Sequence, residues 1–131
     1  ALRSKYKTIG EFTEGECTRL SLLAATRNRY EHQQHTDTHP VEIHTLKLGS
    51  VCIATNPFEL FVAYADRIRA GSGMPNTMVV QLTNGYEGYL PSAKAISCGG
   101  YSAGVNNGFL GAEGGDALVS RTLEMMNSLK K

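Results

Sequence analysis

Residues 51–82 read VCIATNPFELFVAYADRIRAGSGMPNTMVVQL, and they decide the fold. Two short apolar runs, Val51–Thr55 and Thr77–Leu82, are too short for helices and are rich in β-branched residues, so both read as buried strands. Between them, Phe58, Phe61, Val62, Ala65 and Ile68 recur at helical spacing, while Asp66, Arg67 and Arg69 fall mostly off that stripe. Asn56 suits an N-cap, Pro57 the first helical position, and Gly71 the end of the helix. The loop GSGMPN follows. Strand, helix and strand in this order predict two parallel strands joined by a right-handed crossover.

Upstream, VEIHTLKLG (residues 41–49) reads as a strand whose alternation changes phase. Val41 and Ile43 share a face with Thr45 and Lys47, whereas Leu46 and Leu48 share the other with Glu42 and His44. A bulge near Thr45 would restore one apolar face; alternatively, the two faces are covered at different points. Gly49-Ser50 fits a hairpin turn into Val51–Thr55. Further back, TEGE (13–16) has capping-box spacing and opens a helix predicted over residues 14–33. HTDTHP is a loop, because Pro40 disfavours helix in the residue before it.

Downstream, LPSAKAI has room for one helical turn. Residues 97–115 hold seven glycines and read mostly as loop. DALVSRTLEMMNSLKK (116–131) places Leu118, Thr122, Met125, Met126 and Leu129 on one face of a helix, and Lys130 and Lys131 suit its negative end. The sum is an α/β fold: a small mixed sheet with a strand–helix–strand unit and flanking helices, expected to be a single domain.

Composition excludes several classes. The chain has 131 residues, 41% hydrophobic and 19% charged, with net charge +1. This is a globular balance, with no basic field for nucleic acid. No apolar run approaches the roughly 18 residues of a membrane span. The start carries no signal-peptide pattern. The chain opens ALRSKYK without Met, which leaves both a processed chain and a piece of a longer one open. Cys17, Cys52 and Cys98 lie far apart and read as free thiols, with Cys52 in a buried strand. A nucleophilic Cys98 beside Gly99 and Gly100 has no evident histidine partner.

Function is sought where parallel sheets collect ligands, at the carboxyl ends of the strands. Val51–Thr55 ends at Asn56–Glu59, and Thr77–Leu82 ends at TNGYEGY (83–89). In a strand–helix–strand unit both ends lie on one sheet edge, so Glu59 and the tyrosine loop are expected to be neighbours. Two readings of Glu59 stay open. It is either a capping-box glutamate of the Asn56 cap or a functional carboxylate. The tyrosines either cover the sheet edge or line a site, and Gly85 and Gly88 suit positive φ angles. His32, His35, His39 and His44 cluster in HQQHTDTHPVEIH. Surface histidines, adventitious metal binding and true zinc ligation are all open for them, with surface positions favoured. GAEGGD before the last helix gives weak support for a phosphate site, since no Lys-Ser/Thr follows.

Three motifs in order, Pro57-Phe58-Glu59 with the Arg-rich segment after it, Asn84-Gly85-Tyr86-Glu87-Gly88-Tyr89, and Tyr101-Ser102-Ala103, resemble the later part of the catalytic domain of the neutral/alkaline non-lysosomal ceramidase family. The resemblance spans roughly residues 50 to 129. It implies a zinc amidase that cleaves an N-acyl bond of a lipid-like substrate, with zinc held by two histidines, a glutamate and a tyrosine. It assigns Glu59 and Tyr89 as metal ligands, and Asn84, Tyr86 and Tyr101 as supporting or substrate-binding residues. It also suggests an exported or periplasmic setting. The family's two histidine ligands lie upstream of the matched stretch, and the histidine cluster here does not carry their motifs. The chain is therefore expected to be an incomplete piece of such a hydrolase, inactive alone and prone to self-association through exposed sheet edges. Convergence of the Glu59 and Tyr89 oxygens is expected on this reading. A non-catalytic α/β binding or assembly module instead predicts Glu59 folded back on Asn56 and Tyr89 packed away.

Overall fold

The computed structural model describes residues 8–130. The chain divides between Thr38 and His39 into two compact units.

The first unit contains a 3-10 turn, Ile9–Glu11, and helix α1, Glu14–Gln33. The capping box forms as the sequence predicts. Thr13 Oγ1 accepts from the Glu16 N–H, and Glu16 Oε2 accepts from the Thr13 N–H. These bonds satisfy helix donors that would otherwise lack partners. No residue of α1 is buried. Leu22, Leu23 and Tyr30 all face solvent.

The second unit carries the sheet. Strand β1, His44–Leu48, turns through Gly49 at φ 59° into β2, Val51–Thr55. The pair is antiparallel with unbroken register from His44↔Thr55 to Leu48↔Val51. No bulge interrupts it at Thr45, and the two faces are not both covered: only the earlier one packs on the core. Val41 and Ile43 precede β1 and pack half-buried against the core. Leu46 and Leu48 point the other way, 56% and 70% exposed.

Strand β4, Asn76–Val80, lies parallel to β2, giving the mixed order β1-β2-β4. Helix α2, Val62–Ser72, crosses between β2 and β4. The chain then forms helix α3, Ala93–Cys98, a 3-10 turn at Tyr101–Ala103, and helix α4, Ala112–Ser128. Helix α4 packs on α2 and touches β1 and β2. The core is Cys52 and Ala54 from the sheet, Phe58, Tyr64, Ile68 and Leu90, and Leu118, Val119 and Met126 from α4. Burial of these apolar side chains, at about 1.5–3 kcal/mol for each large one, is the main force holding the unit together. The opposite sheet face leaves Leu46, Leu48, Met78 and Val80 exposed.

Three local expectations change. Helix α2 starts at Val62, not Pro57, with Phe61 at its N-cap and no side-chain cap bond. It ends one residue beyond Gly71, and Gly73, at φ 61°, takes the left-handed C-cap position. Gly71 instead lets α4 approach, since a Cβ there would lie 2.7 Å from a Leu123 methyl. Helix α4 begins four residues before Asp116 and takes Gly114 and Gly115 out of the expected loop. Gly115 is buried against the Tyr64 ring, which a Cβ would overlap. The buried face of α4 is Leu118, Val119, Thr122 and Met126, with Met125 and Leu129 half-buried.

Candidate functional site

The stretch Asn56–Leu60 builds the site. Asn56 is 2% exposed and fixes the exit from β2. Its Oδ1 accepts from the Phe58 N–H at 3.1 Å, and its Nδ2 donates to the Val80 carbonyl at 3.3 Å. This is the local side-chain turn that makes Asn competitive with helix. The chain then runs extended as strand β3, Glu59–Leu60, which pairs in parallel with strand β5, Tyr89–Leu90. Backbone partners come from far along the chain. Glu59 N–H donates to the Gly88 carbonyl at 2.9 Å, Glu87 N–H to Pro57 at 3.0 Å, and Leu82 N–H to Phe58 at 3.3 Å. The last two occupy the Pro57 and Phe58 carbonyls, acceptors that the first turn of a helix starting at Pro57 would have needed.

Glu59 and Tyr89 are therefore direct register partners. Glu59 is not a helix cap. Its Oε1 accepts from the Tyr86 hydroxyl at 3.0 Å. The same carboxylate stands beside the Tyr89 phenol and is the first cause raising the Tyr89 pKa above its ordinary value. Tyr86 is raised for the same first reason. In both, a phenol beside a carboxylate resists becoming a second anion. Tyr101 completes the group. Its ring stands at 80° to that of Tyr89, with centroids 6.0 Å apart. Tyr86 and Tyr101 are 65% and 75% exposed.

Two glycines let the backbones close around this group. Gly88 has φ 67°, and a Cβ there would lie 2.5 Å from the Asn107 carbonyl oxygen. Gly108 bridges to Gly88, and a Cβ on it would overlap the Tyr89 carbonyl. Tyr89 N–H donates to Asn107 at 2.7 Å, and Asn107 Nδ2 donates to the Tyr101 carbonyl at 2.5 Å. Asn107 thus links the loop that carries Tyr101 to the strand that carries Tyr89.

Asn84 lies elsewhere. At φ 63° its Nδ2 donates to Glu42 Oε1 at 3.0 Å, and that oxygen also meets His44 Nε2 at 2.6 Å. Bonds from His44 first, then Asn84, lower the Glu42 pKa. His39 pairs with Glu87 at 2.8 Å and stacks on Phe109, centroids 5.2 Å apart. Two ties, His39–Glu87 and Glu42–Asn84, fasten residues 39–44 to the tyrosine loop. The sequence reading passed over Glu42, Glu87 and Asn107 as positioning residues. Glu87 sits inside the tyrosine motif and could have been flagged there, whereas nothing local marks Asn107.

The four histidines do not form one group. His32 and His35 belong to the first unit, and His39 and His44 serve different carboxylates of the second. Among the described residues, no three His, Cys, Asp or Glu side chains are placed to hold one metal ion. No described helix is long and apolar enough to cross a membrane. No family model, no curated protein and no solved structure matches the chain.

Proposed function

We propose that this chain is the C-terminal part of a ceramidase-like, zinc-dependent amidohydrolase acting on a lipid-like N-acyl amide. One observation carries the reading: Glu59 and Tyr89, two ligands that the motif resemblance assigns, are register partners, and the Glu59 carboxylate is the first cause raising the Tyr89 phenol. Their chemistry fits zinc, which accepts carboxylate oxygen at a four-coordinate site. They supply two positions, and the two histidines that the resemblance calls for come from outside the matched stretch. Bound zinc supplies a polarising centre for water and for an amide carbonyl. The chain's own residues hold and orient. The Tyr86 hydroxyl fixes one oxygen of Glu59, and the Gly88–Gly108 contact seats Tyr89. Asn84 acts further out, through Glu42. The isolated chain is inactive on this reading, and the complete protein is exported or periplasmic.

A second reading is a non-catalytic α/β binding or assembly module. Zinc titration calorimetry separates the two, run on this chain and on the full-length polypeptide, each with Glu59→Ala and Tyr89→Phe. The amidohydrolase reading expects stoichiometric zinc in the full-length protein, weakened at least about tenfold by either change. Full-length protein that binds no zinc, or ignores both changes, leaves the module reading.

A further inference from the structure

Glu59 lies among aromatic rings rather than among bases. The influences that raise Tyr86 and Tyr89 are Glu59, burial and neighbouring tyrosines, with no basic side chain among them. Among the described residues, Glu59 makes no ion pair with Lys, Arg or His. A half-buried carboxylate without a cation is an unbalanced charge, and it attracts one. What surrounds it narrows the kind of cation. Tyr89 and Tyr101 stand nearly perpendicular with centroids 6.0 Å apart. A cation in the corner that the two ring planes make lies within about 6 Å of both centroids, the range over which ring faces attract positive charge. The third ring, Tyr86, is tied to the same carboxylate at 3.0 Å. The Tyr86 hydroxyl donates to Glu59 and so offers an anion no free donor.

We propose that Glu59 with the rings of Tyr86, Tyr89 and Tyr101 forms a seat for an alkylated ammonium group. The carboxylate supplies the opposite charge, and the ring faces supply the apolar, electron-rich walls that a methylated cation prefers over water. A small, strongly hydrated cation gains less, because the rings cannot replace its water. The seat uses only groups that this chain provides. It does not rest on the zinc reading, and zinc on Glu59 and Tyr89 would compete with it.

The test is a titration with tetramethylammonium chloride, followed by the NMR ring resonances of the tyrosines. Sodium chloride at equal ionic strength and tert-butanol, uncharged and of similar shape, are the controls. The expected result is saturable shifts of the Tyr86, Tyr89 and Tyr101 rings with tetramethylammonium alone. Tyr101→Leu and Glu59→Gln should each weaken binding about tenfold, with backbone amide resonances of β1, β2 and β4 unchanged. Tyr101 is largely exposed, so its variant keeps the test valid even if Glu59→Gln disturbs the fold. Shifts that do not saturate, an equal response to tert-butanol, or unchanged binding by Tyr101→Leu would overturn the proposal. A separate zinc titration of the full-length polypeptide keeps the two readings apart: zinc without ammonium binding defeats this one only, and ammonium binding without zinc defeats the other only.

Discussion

Removing the Asn56 side chain is expected to cost about 2 kcal/mol, because it strands a buried donor. Asn56 stands where β2 hands the chain to β3, and Asn56→Ala deletes two hydrogen bonds. Phe58 is 1% exposed, so its freed N–H cannot turn to water; an unsatisfied buried donor costs about 1–3 kcal/mol. The second loss is smaller. The Val80 carbonyl keeps the Asn56 backbone N–H at 3.0 Å, and losing the side-chain donor adds only about 0.5 kcal/mol. For a unit the size of His39–Lys131, each kcal/mol moves Tm by roughly 4–8 °C, so a fall of about 8–16 °C is expected. Asn56→Asp refines the test. It keeps the acceptor for Phe58 but buries a carboxylate beside the Val80 carbonyl. Burial raises its folded pKa above the unfolded value of about 3.9. A raised folded pKa gives stability that is complete below the unfolded pKa and lost as pH rises through the folded one. The Asp variant should therefore lie closest to the parent near about pH 4 and fall away towards about pH 7. Urea unfolding by circular dichroism at both values reads this directly. An Ala variant within about 0.5 kcal/mol of the parent, or an Asp variant whose deficit does not grow with pH, would refute the account of this joint.

Two further outcomes follow from the cluster. Besides Tyr64, which burial raises, Tyr86 and Tyr89 should ionise above the ordinary phenol value of about 10, because the Glu59 carboxylate stands beside each. Their folded pKa is raised, so the stabilising contact is complete below the ordinary value and lost as pH climbs through the higher one. Ultraviolet absorbance titration should place both among the later-ionising phenols, and Glu59→Gln should bring them down. Gly88→Ala forces a side chain into left-handed backbone at φ 67° and towards the Asn107 carbonyl. A loss of more than about 1 kcal/mol is expected, with faster amide exchange at Tyr89, whose N–H bonds Asn107. Unchanged exchange there would show that the loop does not depend on this contact.

The α/β frame was legible because its signals are local. Short apolar runs, the helical spacing of Ala65 and Ile68 and the Thr13–Glu16 box each carry their meaning within a few residues, whereas Val62, expected on the same stripe, is 69% exposed. A further sequence argument reached across the chain. Parallel strands joined by a helix bring their carboxyl ends to one edge, and Glu59 does meet the tyrosine loop there. The sequence could not decide what backbone conformation Glu59 takes. Asn56-Pro57 reads as a helix start, and a window of neighbours offers no competitor. The competitors are Glu87 and Leu82, whose N–H groups take the Pro57 and Phe58 carbonyls. Likewise, Gly114 and Gly115 read as loop until the Tyr64 ring is seen to need a residue without a side chain beside it. Asn107 has no local signature at all; its role exists only because the Gly88–Gly108 contact brings it to Tyr89. Periodicity and capping therefore determined the elements, since those depend on nearest neighbours. Tertiary structure decided where α2 begins and that Glu59 holds the Tyr86 hydroxyl, since polar groups take whichever partner the folded chain brings within reach.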